Sequence, residues 1–172
     1  MTRLFETSRL SVDEASTNIS ESDRALLYAD ILKILTPSVV ANLPDYFHEI
    51  TSIEKAAIWF ERMLCESRLL VVKLSGPDQV IGLVFVYSEN RDAHIGYLLG
   101  ERFWGVGYAK ELLLGFIEWS KEEGRYSRLI GGVDKENIPS AKLLKGLGFI
   151  RQPSSDSSTT FYTYEIRWSF CK

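Results

Sequence analysis

The chain has 172 residues, of which 45% are hydrophobic and 25% charged, with a formal net charge of −3; this is the balance of an ordinary globular protein. Its 20 basic against 23 acidic residues exclude the clustered cationic surface that phosphate-backbone binding needs, and no apolar run approaches the ~20 residues that cross a bilayer. Two cysteines make no disulfide framework, and the first six residues lack an apolar leader, so the expectation is one domain over residues 1–172, in the cytoplasm, with no nucleic-acid or membrane partner.

In chain order, residues 9–15 read as a first strand. Ser22-Asp23 can cap a helix to about residue 35, with Leu26, Leu27 and Ile31 on one side and Pro37 as the interruption. Residues 53–67 form a second helix, with Ile53, Ala57, Phe60 and Leu64 near helical spacing. Two β-rich runs, 69–74 and 79–87, are joined by the turn Ser75-Gly76-Pro77-Asp78. A strand at 93–99 feeds a glycine loop, and a long helix at 106–123 is closed by Gly124. A strand at 128–133 precedes a short helix opened by Pro139 and ended by Gly148. Residues 148–152 and 160–168 close the chain as a hairpin around the serine-rich stretch 153–158, read as a mobile loop. Tyr162, Tyr164, Ile166 and Trp168 share one face of the last strand, as core or as a substrate or dimer wall.

The densest information lies in residues 95–111, IGYLLGERFWGVGYAKE. A strand ends in two closely spaced glycines and a helix starts at once. The first N–H groups of a helix lack intrahelical partners and carry the positive end of its dipole, and Gly105 and Gly107 let backbone wrap a phosphate without a Cβ in the way. A dinucleotide fingerprint would need a third glycine where Lys110 stands; a P-loop would need lysine where Val106 stands.

What remains, Arg102-Phe103-Trp104-Gly105-Val106-Gly107-Tyr108-Ala109, resembles the Arg/Gln-x-x-Gly-x-Gly/Ala loop of the GNAT N-acetyltransferase superfamily, which cradles the pyrophosphate of acetyl-CoA. A second stretch, Asn137-Ile138-Pro139-Ser140 leading to Leu147-Gly148-Phe149, is similar to that superfamily's Asn-x-x-Ser helix. Thr7-Ser8-Arg9-Leu10 and Ile95-Gly96-Tyr97 resemble the RimJ/RimL-like branch, which acetylates N-termini of ribosomal proteins. The resemblance implies a mixed α/β GNAT fold, a central twisted sheet of about six to seven strands flanked by about four helices. It implies acetyl-CoA as acyl donor, no metal, direct attack by a primary amine, and a monomer or homodimer. The acceptor is a protein or peptide α-amine on these grounds; a polyamine-like, amino-acid or antibiotic amine is the alternative, and acyl-CoA sensing without turnover is a third reading.

Residue by residue, the resemblance assigns Arg102, Trp104, Gly105, Val106, Gly107, Tyr108 and Ala109 to the donor's phosphates. It assigns Asn137 and the backbone of Leu98 and Leu99 to the pantetheine arm, and Ser140 to the departing sulfur. Each has a plainer alternative: a surface arginine, a tryptophan packed on its loop, an asparagine or serine capping a helix, leucines in a core. The amine must be neutral to attack. A lysine amine of pKa near 10.4 costs roughly 4.6 kcal/mol to deprotonate at pH 7, and an α-amine near 7.8 about 1 kcal/mol. An α-amine therefore asks little of the protein's base. The candidates are Glu89, Asp92, His94 and Glu101. His94 stands where related sequences carry an acidic residue, and histidine is the side chain that titrates near neutrality; a satisfied strand histidine is the plainer option. His48 is structural or substrate-adjacent, and Glu111 complements its helix dipole.

Overall fold

The computed structural model describes residues 1–153 and 158–167. The serine-rich stretch expected to be a loop falls largely at residues 154–157, and Trp168 also lies outside the described residues. In chain order the elements are β1 (Thr2–Glu6), β2 (Leu10–Glu14), α1 (Glu21–Ile34), α2 (Pro37–Val40), α3 (Ile53–Glu66), β3 (Arg68–Leu74), β4 (Val80–Glu89), β5 (Asp92–Leu99), α4 (Tyr108–Glu123), β6 (Arg128–Asp134), α5 (Ile138–Gly146), β7 (Ile150–Arg151) and β8 (Thr159–Glu165). Short 3-10 turns stand at Asp45–Phe47 and Glu101–Phe103. The strands form one mixed sheet in the order β1-β2-β3-β4-β5-β6-β8-β7. The mixed α/β expectation holds, with eight strands and five helices among the described residues.

The two elements beyond the expected set are β1 and α2. β1 is a half-exposed edge strand whose pairing with β2 and whose Phe5 side chain, stacked on Trp119 of α4 at 6.0 Å, supply the order its own pattern does not announce. A Cβ on Gly115 of α4 would lie 2.8 Å from Phe5 and Thr7 side-chain atoms, so the missing side chain lets β1 approach. α2 is a single turn opened by Pro37, a residue that reads from sequence as an ending.

Two helices sit on the sheet rotated from their expected faces. α1 is capped by Ser20, whose side chain accepts from the Asp23 N–H, and buries Leu27, Tyr28, Ile31 and Ile34, while Leu26 is 67% exposed. In α3 the inward set is Ala56, Trp59, Phe60 and Met63; Ile53 faces solvent. Adjacent residues on a helix point about 100° apart, so turning Leu27–Tyr28 and Trp59–Phe60 inward leaves Leu26 and Ile53 outside the covered arc.

Strand alternation splits the interior into two cores, one per face. Leu70 and Val72 join Leu112, Leu113, Phe116 and Ile117 of α4. Leu69, Val71, Leu83 and Leu98 pack against α1 and α3. Tyr162 and Ile166 are buried in the first of these cores, the bland reading of the aromatic tail.

A wedge between two parallel strands as the candidate active site

β5 is registered with β4 along its whole length, but with the parallel strand β6 only from Asp92↔Arg128 to Ile95↔Gly131. Beyond that point β6 continues in register with β8 alone, and Gly96–Leu99 have no registered β6 partner. The sheet therefore opens as a wedge. The Leu98 carbonyl turns toward β4, over the position a Gly82 Cβ would take. Alternation along an antiparallel ladder then places the polar groups of Tyr97 and Leu99 on the wedge side. The Leu99 carbonyl accepts a hydrogen bond there from the indole Nε1 of Trp104 at 2.8 Å.

The glycine loop crosses the mouth of this wedge. Gly105 and Gly107 hold φ of +74° and +88°, the left-handed region that L side chains avoid. Gly107 is the N-cap of α4 and offers no side-chain cap, leaving the first-turn N–H groups to whatever binds there. A cavity of about 560 Å³ lies beneath. Leu98 and Leu99 form its floor, Trp104, Gly105, Gly107, Tyr108 and Ala109 one wall, and Asn137 and Ser140 the other. These residues fit a nucleotide-bearing thioester: open backbone donors at one end, a strand gap at the other. Among the described residues, no group of three His, Cys, Asp or Glu side chains is placed to hold a metal.

Two predicted loop residues lie elsewhere. Val106 is half-exposed on the outer side of the loop. Arg102 lies on the 3-10 turn that points it toward α1, against the Phe103 ring at 4.9 Å and into a separate cavity of about 310 Å³ with Asp30 and Lys33.

At the far wall, Asn137 is the N-cap of α5, its Oδ1 accepting from the Ser140 N–H at 3.2 Å. The Ser140 hydroxyl is thereby freed from capping and shares a 2.7 Å hydrogen bond with the Tyr97 hydroxyl. Burial pushes the Tyr97 phenol above its ordinary pKa, against the opposing pull of the Ser140 bond. The pair is a protonated hydroxyl relay on the α4–α5 face of β5.

His94 is not part of that relay. Along β5, Ile95, Tyr97 and Leu99 face α4 and α5, whereas His94, Gly96 and Leu98 face α1 and α3. Three residues of strand, roughly 10 Å, separate His94 from Tyr97 along the chain. His94 packs its ring 6.0 Å from that of Tyr87, its cross-strand partner, and lines a second cavity of about 970 Å³ with Tyr46, Phe85 and Phe161. The two cavities share Asn42, Leu43, Tyr97 and Leu98, so they meet through the wedge. The other base candidates are otherwise engaged or outside: Asp92 is paired with Arg128 at the closed end of β5, Glu89 is exposed at the β4–β5 turn and Glu101 is exposed on its 3-10 turn. His48 meets the Leu43 carbonyl through Nε2 at 3.0 Å, pinning the segment between the cavities.

Residues 17–150 match the acetyltransferase (GNAT) domain family. The chain belongs to the GNAT family of acetyltransferases. It is 37% identical over 78 residues to the uncharacterized N-acetyltransferase p20 of Bacillus licheniformis, a stretch that spans 44% of each chain. Its fold is shared with RimL, a ribosomal-protein alpha-N-acetyltransferase in complex with coenzyme A, at a TM-score of 0.78 and 17% identity, over 95% of this chain and 98% of that one. It is shared also with the microcin C7 self-immunity acetyltransferase MccE in complex with acetyl-CoA and AMP, at a TM-score of 0.73 and 16% identity, over 93% of this chain and 94% of that one. Among the described residues no helix is long and apolar enough to cross a membrane.

Within this GNAT domain, Tyr97 is the wedge residue that sequence reasoning missed as a site group. Its signal was present in Ile95-Gly96-Tyr97, read as a branch signature with no role attached. Glu111, read as a dipole complement, does more. Burial pushes its carboxyl up, but hydrogen bonds from Thr7, Arg9 and Ser8 outweigh this and hold it at about 2.

Proposed function

We propose that the protein transfers an acetyl group from acetyl-CoA directly to a primary amine, in the cytoplasm, as one domain, with a protein or peptide N-terminal α-amine as acceptor. The observation that carries this reading is the Tyr97–Ser140 hydroxyl pair at the point where a phosphate-ready cavity meets a second, open one. The donor lies with its pyrophosphate on the N–H groups around Gly105 and Gly107, its pantetheine arm past Asn137 and along the wedge-side backbone of Leu99, and its thioester at Tyr97. The amine enters from the aromatic cavity on the α1–α3 face. Its attack on the thioester carbonyl forms the C–N bond while its proton passes through a water to the His94 imidazole, and the C–S bond then breaks. Ser140 gives its proton to the departing sulfur, takes one from the hydrogen-bonded Tyr97 phenol, and solvent reprotonates that phenol; a thiol of pKa about 8.5 is a good leaving group, so a weak donor suffices.

The α-amine is favoured over a lysine amine or polyamine because the candidate base is one histidine reached through water, and an α-amine asks only about 1 kcal/mol of it. The likeness to RimL agrees with that choice, and the likeness to MccE keeps small-molecule amines as the competing class. The test is CoA-thiol release with peptides bearing a free or a blocked α-amine, beside a panel of polyamines and amino acids. Release that vanishes on blocking the α-amine supports the reading. Release only with small amines replaces the acceptor class, and acetyl-CoA binding without release to any acceptor leaves a sensor.

A further inference from the structure

Arg9 lies between β1 and β2, about a hundred residues from the glycine loop in sequence, yet it crosses directly behind that loop. Its Nε donates to Glu111 Oε2 at 2.6 Å and its backbone N–H to Oε1 at 2.8 Å. Its Nη1 donates to the Val106 carbonyl at 3.1 Å. The guanidinium carbon stands 4.4 Å from the centre of the Tyr108 ring, and a Cβ on Gly107 would lie 3.5 Å from Nη2. Thr7 and Ser8 hydroxyls donate to the same Glu111 oxygen at 2.6 and 3.1 Å.

Two consequences follow from these contacts. A carboxylate in the first turn of a helix is drawn to the same N–H groups and dipole end that would receive a phosphate; here Thr7, Ser8 and Arg9 hold the Glu111 carboxylate back from them. Second, in a planar trans peptide the C=O and N–H point in opposite directions. Fixing the Val106 carbonyl on Arg9 therefore turns the Gly107 N–H away from Arg9. Gly107 borders both the donor cavity and a groove of about 660 Å³ on the Arg9 side, so the N–H is aimed at the donor cavity.

We propose that Arg9, anchored on Glu111, is the positioning residue of the phosphate loop, holding the Val106–Gly107 peptide so that its N–H faces the donor's pyrophosphate. This rests on the acetyl-CoA reading above. Val106 is thereby part of the loop's function through its outward carbonyl, although its side chain is exposed. A lysine replaces Arg9 poorly, because its single ammonium lacks the planar fork that meets Glu111 through Nε and the Val106 carbonyl through Nη1 at once.

The test is calorimetric titration of the full chain and of folded Arg9→Ala and Arg9→Lys with acetyl-CoA, and displacement of acetyl-CoA by S-acetylpantetheine, which lacks every phosphate. The expected result is a loss of about tenfold in acetyl-CoA affinity for Arg9→Ala, the scale of a charge-assisted hydrogen bond. Arg9→Lys, which keeps the charge and much of the stem should the alanine variant not fold, loses severalfold. S-acetylpantetheine binds all three alike. Retention of acetyl-CoA affinity within twofold by Arg9→Ala, or wild-type affinity in Arg9→Lys, overturns the proposal, as does an equal loss of both ligands. If the wild-type protein itself binds no acetyl-CoA, it is the donor reading that fails.

Discussion

The two faces of the sheet at the wedge are built in different ways. On the α4–α5 face, the donor cavity is made mostly from stretches contiguous in sequence, a strand end, a glycine loop and the start of a helix, then an Asn-x-x-Ser turn, with Asn42 and Leu43 reaching it from the α2 side. Its geometry is set by backbone conformations that only particular residues adopt, the left-handed glycines above all. On the α1–α3 face, the larger cavity is assembled from single aromatic side chains contributed by distant elements, Tyr46, Phe85, Tyr87 and Phe161 among them. Tyr46 lies on a 3-10 turn, Phe85 and Tyr87 on β4 and Phe161 on β8. One side is fixed by main-chain chemistry that a substitution must break; the other is fixed by side-chain shape that a substitution can vary. A constant donor and a variable acceptor are what such a division suits.

If that division is right, the largest effect of a single substitution belongs to the loop. Gly107→Glu puts a charged side chain at φ +88° on the helix N-cap, adding backbone strain of about 1–2 kcal/mol to direct repulsion of a phosphate. Acetyl-CoA affinity should fall by about a hundredfold or more with the fold retained, read by calorimetry and circular dichroism. Binding unchanged in the variant would mean that the loop is not the phosphate site. One step smaller is Ser140→Ala, which removes the hydroxyl bonded to Tyr97 and leaves the Asn137 cap on the Ser140 N–H intact. Turnover should drop by about tenfold, the scale of one hydrogen bond, with acetyl-CoA affinity within a fewfold. Undiminished turnover would take Ser140 out of the chemistry.

How much of this was legible in the sequence follows the same division. The glycine loop, the Asn137 turn and the closing Gly124 were readable because each is a local device whose residues sit within a few positions of one another. The longer helices α1 and α3 were readable as helices, but not their faces: Leu26 and Ile53 look as apolar as Leu27 and Phe60, and only the sheet decides which are covered. Tyr97 was visible as a letter in a motif, but its partner lies 43 residues away. The Arg9–Glu111 contact spans 102 positions. The wedge could not be read at all, since it consists of where β6 stops pairing with β5.

The acceptor side offers a subtler perturbation. His94→Gln keeps a hydrogen-bonding side chain of similar size beside Tyr87 and loses the imidazole as a candidate base. With an α-amine acceptor, turnover near neutral pH should fall only roughly fivefold, because the amine's own deprotonation costs about 1 kcal/mol; with a lysine side chain as acceptor the loss should be larger. The diagnostic is the pH–rate profile, whose acid limb should shift in the variant. A profile that does not move assigns the proton to solvent and makes His94 a wall of the cavity.

The smallest expected effect concerns stability, and it asks whether the donor face is held by charge as well as by backbone. Glu111 has an ordinary carboxyl value of 4.5 and is held at about 2 in the folded chain by Thr7, Arg9 and Ser8, against the upward push of burial. A carboxyl lowered on folding adds stability that is complete above its unfolded value and is lost as pH falls toward the folded one. The window is therefore pH 4.5 down to about 2, with no contribution to pH dependence above it. Glu111→Gln keeps the side chain's size but not its charge, so it should melt a few degrees below wild type at pH 7, and the gap should close as pH falls through that window. Subtracting the two melting curves removes the carboxylates they share, such as Glu14, lowered by its bond to Arg68. A gap that stays constant from pH 7 to pH 2 would mean that the ionised carboxylate is not what fastens the N-terminal strand to α4, leaving the Phe5 contacts at Gly115 to hold that face by packing alone.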